Sequence, residues 1–164
     1  MFQRILLIAA VLCAVPITGA AQQTRHSQVQ QVLFVCEHGN VKSLMAATYF
    51  NALAQSRRLP YRAVSRGVAP DSDSVPEFVL TPLKSEGFDV ADFHPQRITR
   101  DDVAASSRVV VISTAVPADA SDAGTKVEQW NDVPPASKDY PKSRDSIKAH
   151  VADLLDRLER GKTP

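Results

Sequence analysis

The chain has 164 residues, 44% of them hydrophobic and 23% charged, with a formal net charge of +1. That length suits one globular domain with a sizeable core. A balance so close to neutral excludes nucleic acid as the implied partner.

Residues 1–20 stand apart from the rest. Arg4 precedes an apolar run from Ile5 to Ile17, and Thr18-Gly19-Ala20-Ala21 supplies small residues of the kind signal peptidase accepts. The run is shorter than the roughly 20 residues that cross a bilayer, and Pro16 interrupts it. A cleaved signal peptide is therefore expected, with periplasmic or secreted localisation and no stable membrane insertion afterwards. Ala10-Val11-Leu12 places no small residue beside Cys13, so lipid attachment is not expected there. Cleavage after Ala20 removes Arg4 and no acidic residue, so the net charge falls from +1 to zero. It also removes Cys13 and leaves Cys36 as the sole thiol, which denies the mature chain an intramolecular disulfide. Residues 21–30 read as a polar tether and residues 31–160 as the domain.

Gln31 to Cys36 reads as a buried strand, because β-branched and aromatic residues fill it without polar alternation. A helix is predicted from Ser43 to Gln55, with Leu44, Ala47, Tyr49 or Phe50, and Leu53 on its apolar face. Tyr61 to Val68 alternates as a strand near a sheet edge does, and Gly67 is placed to end it. Pro76 opens a second helix that carries Pro82 in its interior and stops at Gly87. Thr99 caps a short helix with Asp102 three residues on, and Arg108 to Ser113 is a second buried strand. Thr125 to Trp130 forms the last strand. A final helix from Asp139 to Arg160 aligns Ile147, Val151, Leu154, Leu155 and Leu158 on one side. Strands alternating with helices imply an α/β fold, a four-stranded parallel sheet with helices on both faces, which binds ligands at the carboxyl ends of its strands.

Cys36 lies at such an end, where the strand stops and the helix begins. The turn Glu37-His38-Gly39-Asn40-Val41-Lys42-Ser43 brings backbone N–H groups toward a helix N-terminus. That positive end favours both a bound anion and an ionised thiol. Lys42 adds a cation and Ser43 a hydroxyl donor, so all seven residues of the turn are assigned to oxyanion binding. A buried inert thiol and a solvated lysine at a helix start are the plain alternatives, and His38 in a polar loop need not contact anything. His26, His38, His94 and His150 show no metal-binding spacing, and no metal or cofactor is expected.

The strand ending in Cys36, with Lys42-Ser43 completing the turn, resembles the opening of the low-molecular-weight protein tyrosine phosphatase and thioredoxin-type arsenate reductase superfamily. The likeness runs from about residue 31 to about residue 160. That superfamily has Cys-x5-Arg-Ser, and here Lys42 stands where its arginine would be. It also places an asparagine three positions after the cysteine, where this chain has Gly39 followed by Asn40.

The resemblance implies that Cys36 is a nucleophile on phosphate monoesters through a cysteinyl-phosphate, with Lys42 and Ser43 supporting it. It implies a leaving-group acid on the loop after the last strand. Asp132 has that location, although Val133 separates it from Pro134 and the usual Asp-Pro pair is interrupted. Asp139, just before the last helix, is better suited to an N-cap. An exported phosphatase-like hydrolase acting on a phosphorylated protein or small molecule is the leading expectation. The alternatives are a catalytically weak or inactive oxyanion-binding or regulatory module, favoured by lysine for arginine, and an arsenate reductase relying on external thiols.

Overall fold

A computed structural model of the protein describes residues 28–121 and 127–161. The expected signal peptide and most of the tether lie outside the described residues, as do Thr125 and Lys126 at the start of the predicted last strand. The order of elements is β1 (Gln30–Cys36), α1 (Lys42–Ser56), β2 (Tyr61–Gly67), α2 (Glu77–Ser85), α3 (Arg100–Ala104), β3 (Ser106–Ile112), β4 (Val127–Trp130) and α4 (Tyr140–Glu159). The four strands form one sheet in the order β2-β1-β3-β4, and every pairing is parallel.

Because side chains alternate across a strand, each central strand feeds two cores. Val32, Phe34 and Cys36 of β1, with Val110 and Ile112 of β3, face α1, α2 and α4. Leu33 and Val35, with Val109 and Val111, face the other way toward Ile98, Val103 and Ala120. Phe34 is the centre of the larger core, with ring centroids 5.6 Å from Phe50 and 5.5 Å from Trp130. The α4 stripe packs there through Ile147, Val151, Leu154 and Leu155, and Leu158 is half-buried at its edge. The apolar face of α1 is wider than the spacing of Leu44, Ala47 and Phe50 implies. Met45, Ala46 and Ala54 are buried too, because the helix lies between the sheet and α4. Leu53 is only half-buried.

Several boundaries differ from the sequence reading for local reasons. β3 begins at Ser106 rather than Arg108, since the Gln31 side chain donates to Ser106 Oγ at 3.1 Å and Ser107 Oγ donates to the Gln31 carbonyl at 2.9 Å. It ends before Ser113, whose positive φ of 54° leaves the strand conformation. Asp139 caps α4, accepting from the Lys142 N–H at 3.0 Å. Among the described residues no helix is long and apolar enough to cross a membrane.

Thr99 and Asp102 close a reciprocal cap on α3: the Asp102 N–H donates to Thr99 Oγ1 at 3.1 Å and the Thr99 N–H to Asp102 Oδ2 at 3.0 Å. Arg66 Nε donates to the other carboxylate oxygen at 3.0 Å, which ties α3 to the end of β2. Burial acts to raise the Asp102 carboxyl, but its hydrogen bonds to Thr99 and Arg66 outweigh that and hold it below its ordinary value. A carboxyl lowered on folding stabilises the fold above its unfolded value, and that contribution is lost as pH falls through the folded value. Thr99→Ala is expected to cost about 1 kcal/mol. Asp102→Asn is expected to destabilise at pH 7, with the gap from the parent closing below about pH 4; urea titrations across that range measure both effects.

Candidate functional site

The site is built where β1, β2 and α1 meet. The ladder between β1 and β2 continues past the strands, with Val68 N–H donating to the Cys36 carbonyl at 3.0 Å and Ala69 N–H to the Glu37 carbonyl at 2.8 Å. The chain then turns sharply at Gly39, whose φ is +81°. A Cβ at Gly39 would lie 2.6 Å from the Gly67 nitrogen, and one at Gly67 would lie 2.7 Å from the His38 carbonyl group. Two glycines on separate elements thus let the turn sit directly on the end of β2.

Cys36 is buried at the centre of this turn. The Gly39 N–H donates to Sγ at 3.3 Å and Ser43 Oγ lies 3.0 Å from it. Ser65, buried on β2, places its hydroxyl 2.9 Å from Ser43 Oγ and 2.8 Å from the Gly39 carbonyl. When Cys36 is a thiolate, Ser43 donates to sulfur, and the single Ser65 proton is shared between the Gly39 carbonyl and Ser43 Oγ. The first turn of α1 has no side-chain cap and no acidic residue. Its leading N–H groups, from Lys42 onward, therefore lack intrahelical partners and face the same end as Cys36.

Burial lowers the Lys42 ammonium from its ordinary value, and the neighbouring Cys36 sulfur partly reverses that. Asn40 is buried and braces the turn, donating through Nδ2 to the Ser74 carbonyl at 2.8 Å. The Glu37 carboxylate accepts from Thr114 Oγ1 at 3.0 Å. His38 Nδ1 lies 3.2 Å from Asp71 Oδ1.

Cys36, Glu37, His38, Asn40, Val41 and Lys42 line one cleft of about 540 Å³. Ser43 lies beneath it, in contact with the sulfur. Asp71 and Ser72 border the cleft on one side; Pro76 and Phe78 supply an apolar edge, and Pro135, Ala136 and Ser137 close it. Asp132 is not among the lining residues. Its carboxylate lies 2.8 Å from His150 Nε2 on α4, and that imidazole stacks on Trp130 with centroids 4.7 Å apart. Asp132 thus stands on the loop between β4 and α4, as expected, with its carboxylate paired to α4, while Pro135 to Ser137 of the same loop reach the cleft.

Asp71, Ser65 and Gly67 are site residues that sequence spacing does not disclose. They lie 29 to 35 positions from Cys36; Ser65 and Gly67 arrive through strand pairing, and Asp71 on the segment that follows β2. Only the inward alternation of Ser65 on β2 offered a signal. Among the described residues, no group of three His, Cys, Asp or Glu side chains is arranged to hold a metal ion.

No protein-family model matches the chain, and no curated protein matches it in sequence. Solved structures do. An arsenate reductase from Archaeoglobus fulgidus is 30% identical, with a TM-score of 0.61, and the match covers 76% of this chain and 98% of that one. A low-molecular-weight protein tyrosine phosphatase from T. tengcongensis is 20% identical with a TM-score of 0.71, covering 78% of this chain and 99% of its own. A thioredoxin-dependent arsenate reductase from Corynebacterium glutamicum is 22% identical with a TM-score of 0.70. That match covers 84% of this chain, but the chain spans only 65% of that protein's length.

Proposed function

The chain belongs to the superfamily of low-molecular-weight protein tyrosine phosphatases and arsenate reductases, and on that premise we propose that it is an exported hydrolase of phosphate monoesters. In this reading Cys36 attacks phosphorus as a thiolate, and the turn's N–H groups with Lys42 hold the phosphoryl oxygens. Water then hydrolyses the cysteinyl-phosphate. The observation that carries it is the convergence of the Gly39 N–H and the Ser43 hydroxyl on Cys36 Sγ, beside an uncapped helix start. The Gly39 N–H donates to sulfur and the Ser43 hydroxyl is placed to do so as well, an arrangement that suits a thiolate.

The apolar edge formed by Pro76 and by Phe78, which is 41% exposed, suits an aromatic leaving group, from a phosphorylated protein side chain or a small aryl ester. Export rests on Arg4 and the apolar run Ile5 to Ile17. A second reading, an oxyanion-binding module with negligible turnover, draws on Lys42 and on a cleft wall of Pro135, Ala136 and Ser137 that carries no carboxylate. Arsenate reduction would need thiols from outside, because Cys36 is the one cysteine among the described residues.

The test is turnover of an activated aryl phosphate by the parent and by Lys42→Arg. A guanidinium spans two equatorial oxygens where an ammonium reaches one, so Lys42→Arg is expected to raise turnover by about ten-fold. Because burial lowers the Lys42 ammonium from its ordinary value, orthophosphate affinity should fall on the alkaline side before a free lysine would discharge. Arginine should move that limb upward. Orthophosphate binding without turnover in either form supports the binding module instead.

A further inference from the structure

Transfer of a phosphoryl group to Cys36 expels an alkoxide or phenoxide unless a proton arrives as the P–O bond breaks. On the loop after β4, Asp132 is paired with His150, and the residues of that loop that line the cleft are Pro135, Ala136 and Ser137. Two carboxylates line the cleft elsewhere. Glu37 accepts from Thr114. Asp71 instead faces an imidazole that shares the cleft with Cys36, with His38 Nδ1 3.2 Å from Asp71 Oδ1.

Resting on the phosphatase reading above, we propose that His38 is the proton donor and acceptor of this site, and that Asp71 positions it. His38 is two residues from the nucleophile, and its backbone is fixed by close packing against Gly67. Asp71 follows directly on the segment whose Val68 and Ala69 N–H groups bond to Cys36 and Glu37. Both partners therefore root on the ladder that places the sulfur. Their side chains are 47% and 66% exposed, and an ion pair so exposed contributes little to folding. Asp71 accepting from Nδ1–H leaves Nε2 as the nitrogen that gives and takes the proton.

In the first step a Cys36 Sγ lone pair forms the S–P bond and the P–O bond breaks, its electron pair going to the leaving oxygen. The Nε2 proton of the imidazolium passes to that oxygen and releases the alcohol. In the second, water oxygen bonds to phosphorus and the P–S pair returns to sulfur as thiolate. One water proton goes to the neutral Nε2, the other stays on the phosphate, and the starting imidazolium is restored.

The experiment compares p-nitrophenyl phosphate, whose leaving group needs little protonation, with phenyl phosphate, whose leaving group needs it. His38→Gln is expected to slow phenyl phosphate by about 100-fold and the nitrophenyl ester by only a few-fold. Asp71→Asn is expected to show the same split at smaller amplitude with an unchanged melting temperature. Added imidazole should restore part of the phenyl phosphate rate in His38→Ala, which a misfolded variant would not allow. An equal loss on both esters in His38→Gln, or the split appearing in Asp132→Asn instead, would overturn the assignment while leaving the phosphatase reading intact. A parent that binds orthophosphate but hydrolyses neither ester removes the phosphatase reading, and this inference with it.

Discussion

Cys36→Ser is expected to lower turnover of an aryl phosphate by at least about 1,000-fold while leaving orthophosphate affinity within a few-fold of the parent. A loss of that size corresponds to about 4 kcal/mol of transition-state stabilisation. The substitution exchanges sulfur for oxygen at a buried site and changes little else. A serine hydroxyl is a poor nucleophile unless a base takes its proton. The groups at hydrogen-bond distance from this position are the Gly39 N–H and the Ser43 hydroxyl, and neither is a base. In the proposed reading the anion is held by the helix start and Lys42, which the substitution leaves in place. Steady-state turnover and the melting-temperature rise with orthophosphate measure the two quantities separately. Retained turnover in Cys36→Ser would remove sulfur from the reaction altogether.

The separation between binding and chemistry follows the division between what the sequence discloses and what it conceals. The path from Gln31 through Cys36 to Gln55 is legible because each part is local. A doubly buried strand needs apolar residues on both faces, a turn needs a glycine, and an alanine-rich segment with spaced apolar residues needs to be a helix. The Thr99 and Asp102 cap is legible for the same reason, since its partners lie three residues apart. Pro82 inside α2 and Gly87 beyond its end also fall where the pattern puts them.

Asp132 was not legible in this way. Its loop position after β4 is plain from the chain, but its direction is set by His150, which lies 18 residues on and stacks over Trp130. Asp71 and Ser65 are hidden by the same physics. No periodicity links them to Cys36, and only the parallel register of β1 on β2, with Phe34 opposite Ser65 and Cys36 opposite Gly67, brings that end of β2 to the turn. A parallel sheet assembles its ligand end from residues distant in sequence, so the sequence shows Cys36 and its turn but conceals the residues that β2 brings beside them.

The second large effect is expected from Gly39→Ala, which should abolish measurable orthophosphate binding and destabilise the fold by about 2 kcal/mol or more. Two independent terms act there. The positive φ of +81° disfavours any residue with a Cβ, at a cost of about 1–2 kcal/mol. The added methyl would also lie 2.6 Å from the Gly67 nitrogen, a backbone atom that moves only if β2 moves. That nitrogen already donates to the Gln96 carbonyl at 2.9 Å, and the Gly67 carbonyl accepts from Ile98 N–H at 2.8 Å, so the segment is held from both sides. The turn, being the freer partner, should yield and carry the Gly39 N–H away from Cys36. Gly67→Ala separates the two terms, because Gly67 has no positive φ and an added Cβ meets only contact, with the His38 carbonyl group at 2.7 Å and the Gly39 nitrogen at 2.9 Å. If contact dominates, both variants lose orthophosphate binding, measured as the loss of the ligand-induced rise in melting temperature. If backbone conformation dominates, Gly67→Ala keeps that rise and Gly39→Ala loses it. Full orthophosphate binding in both would show that the anion is not held by this turn.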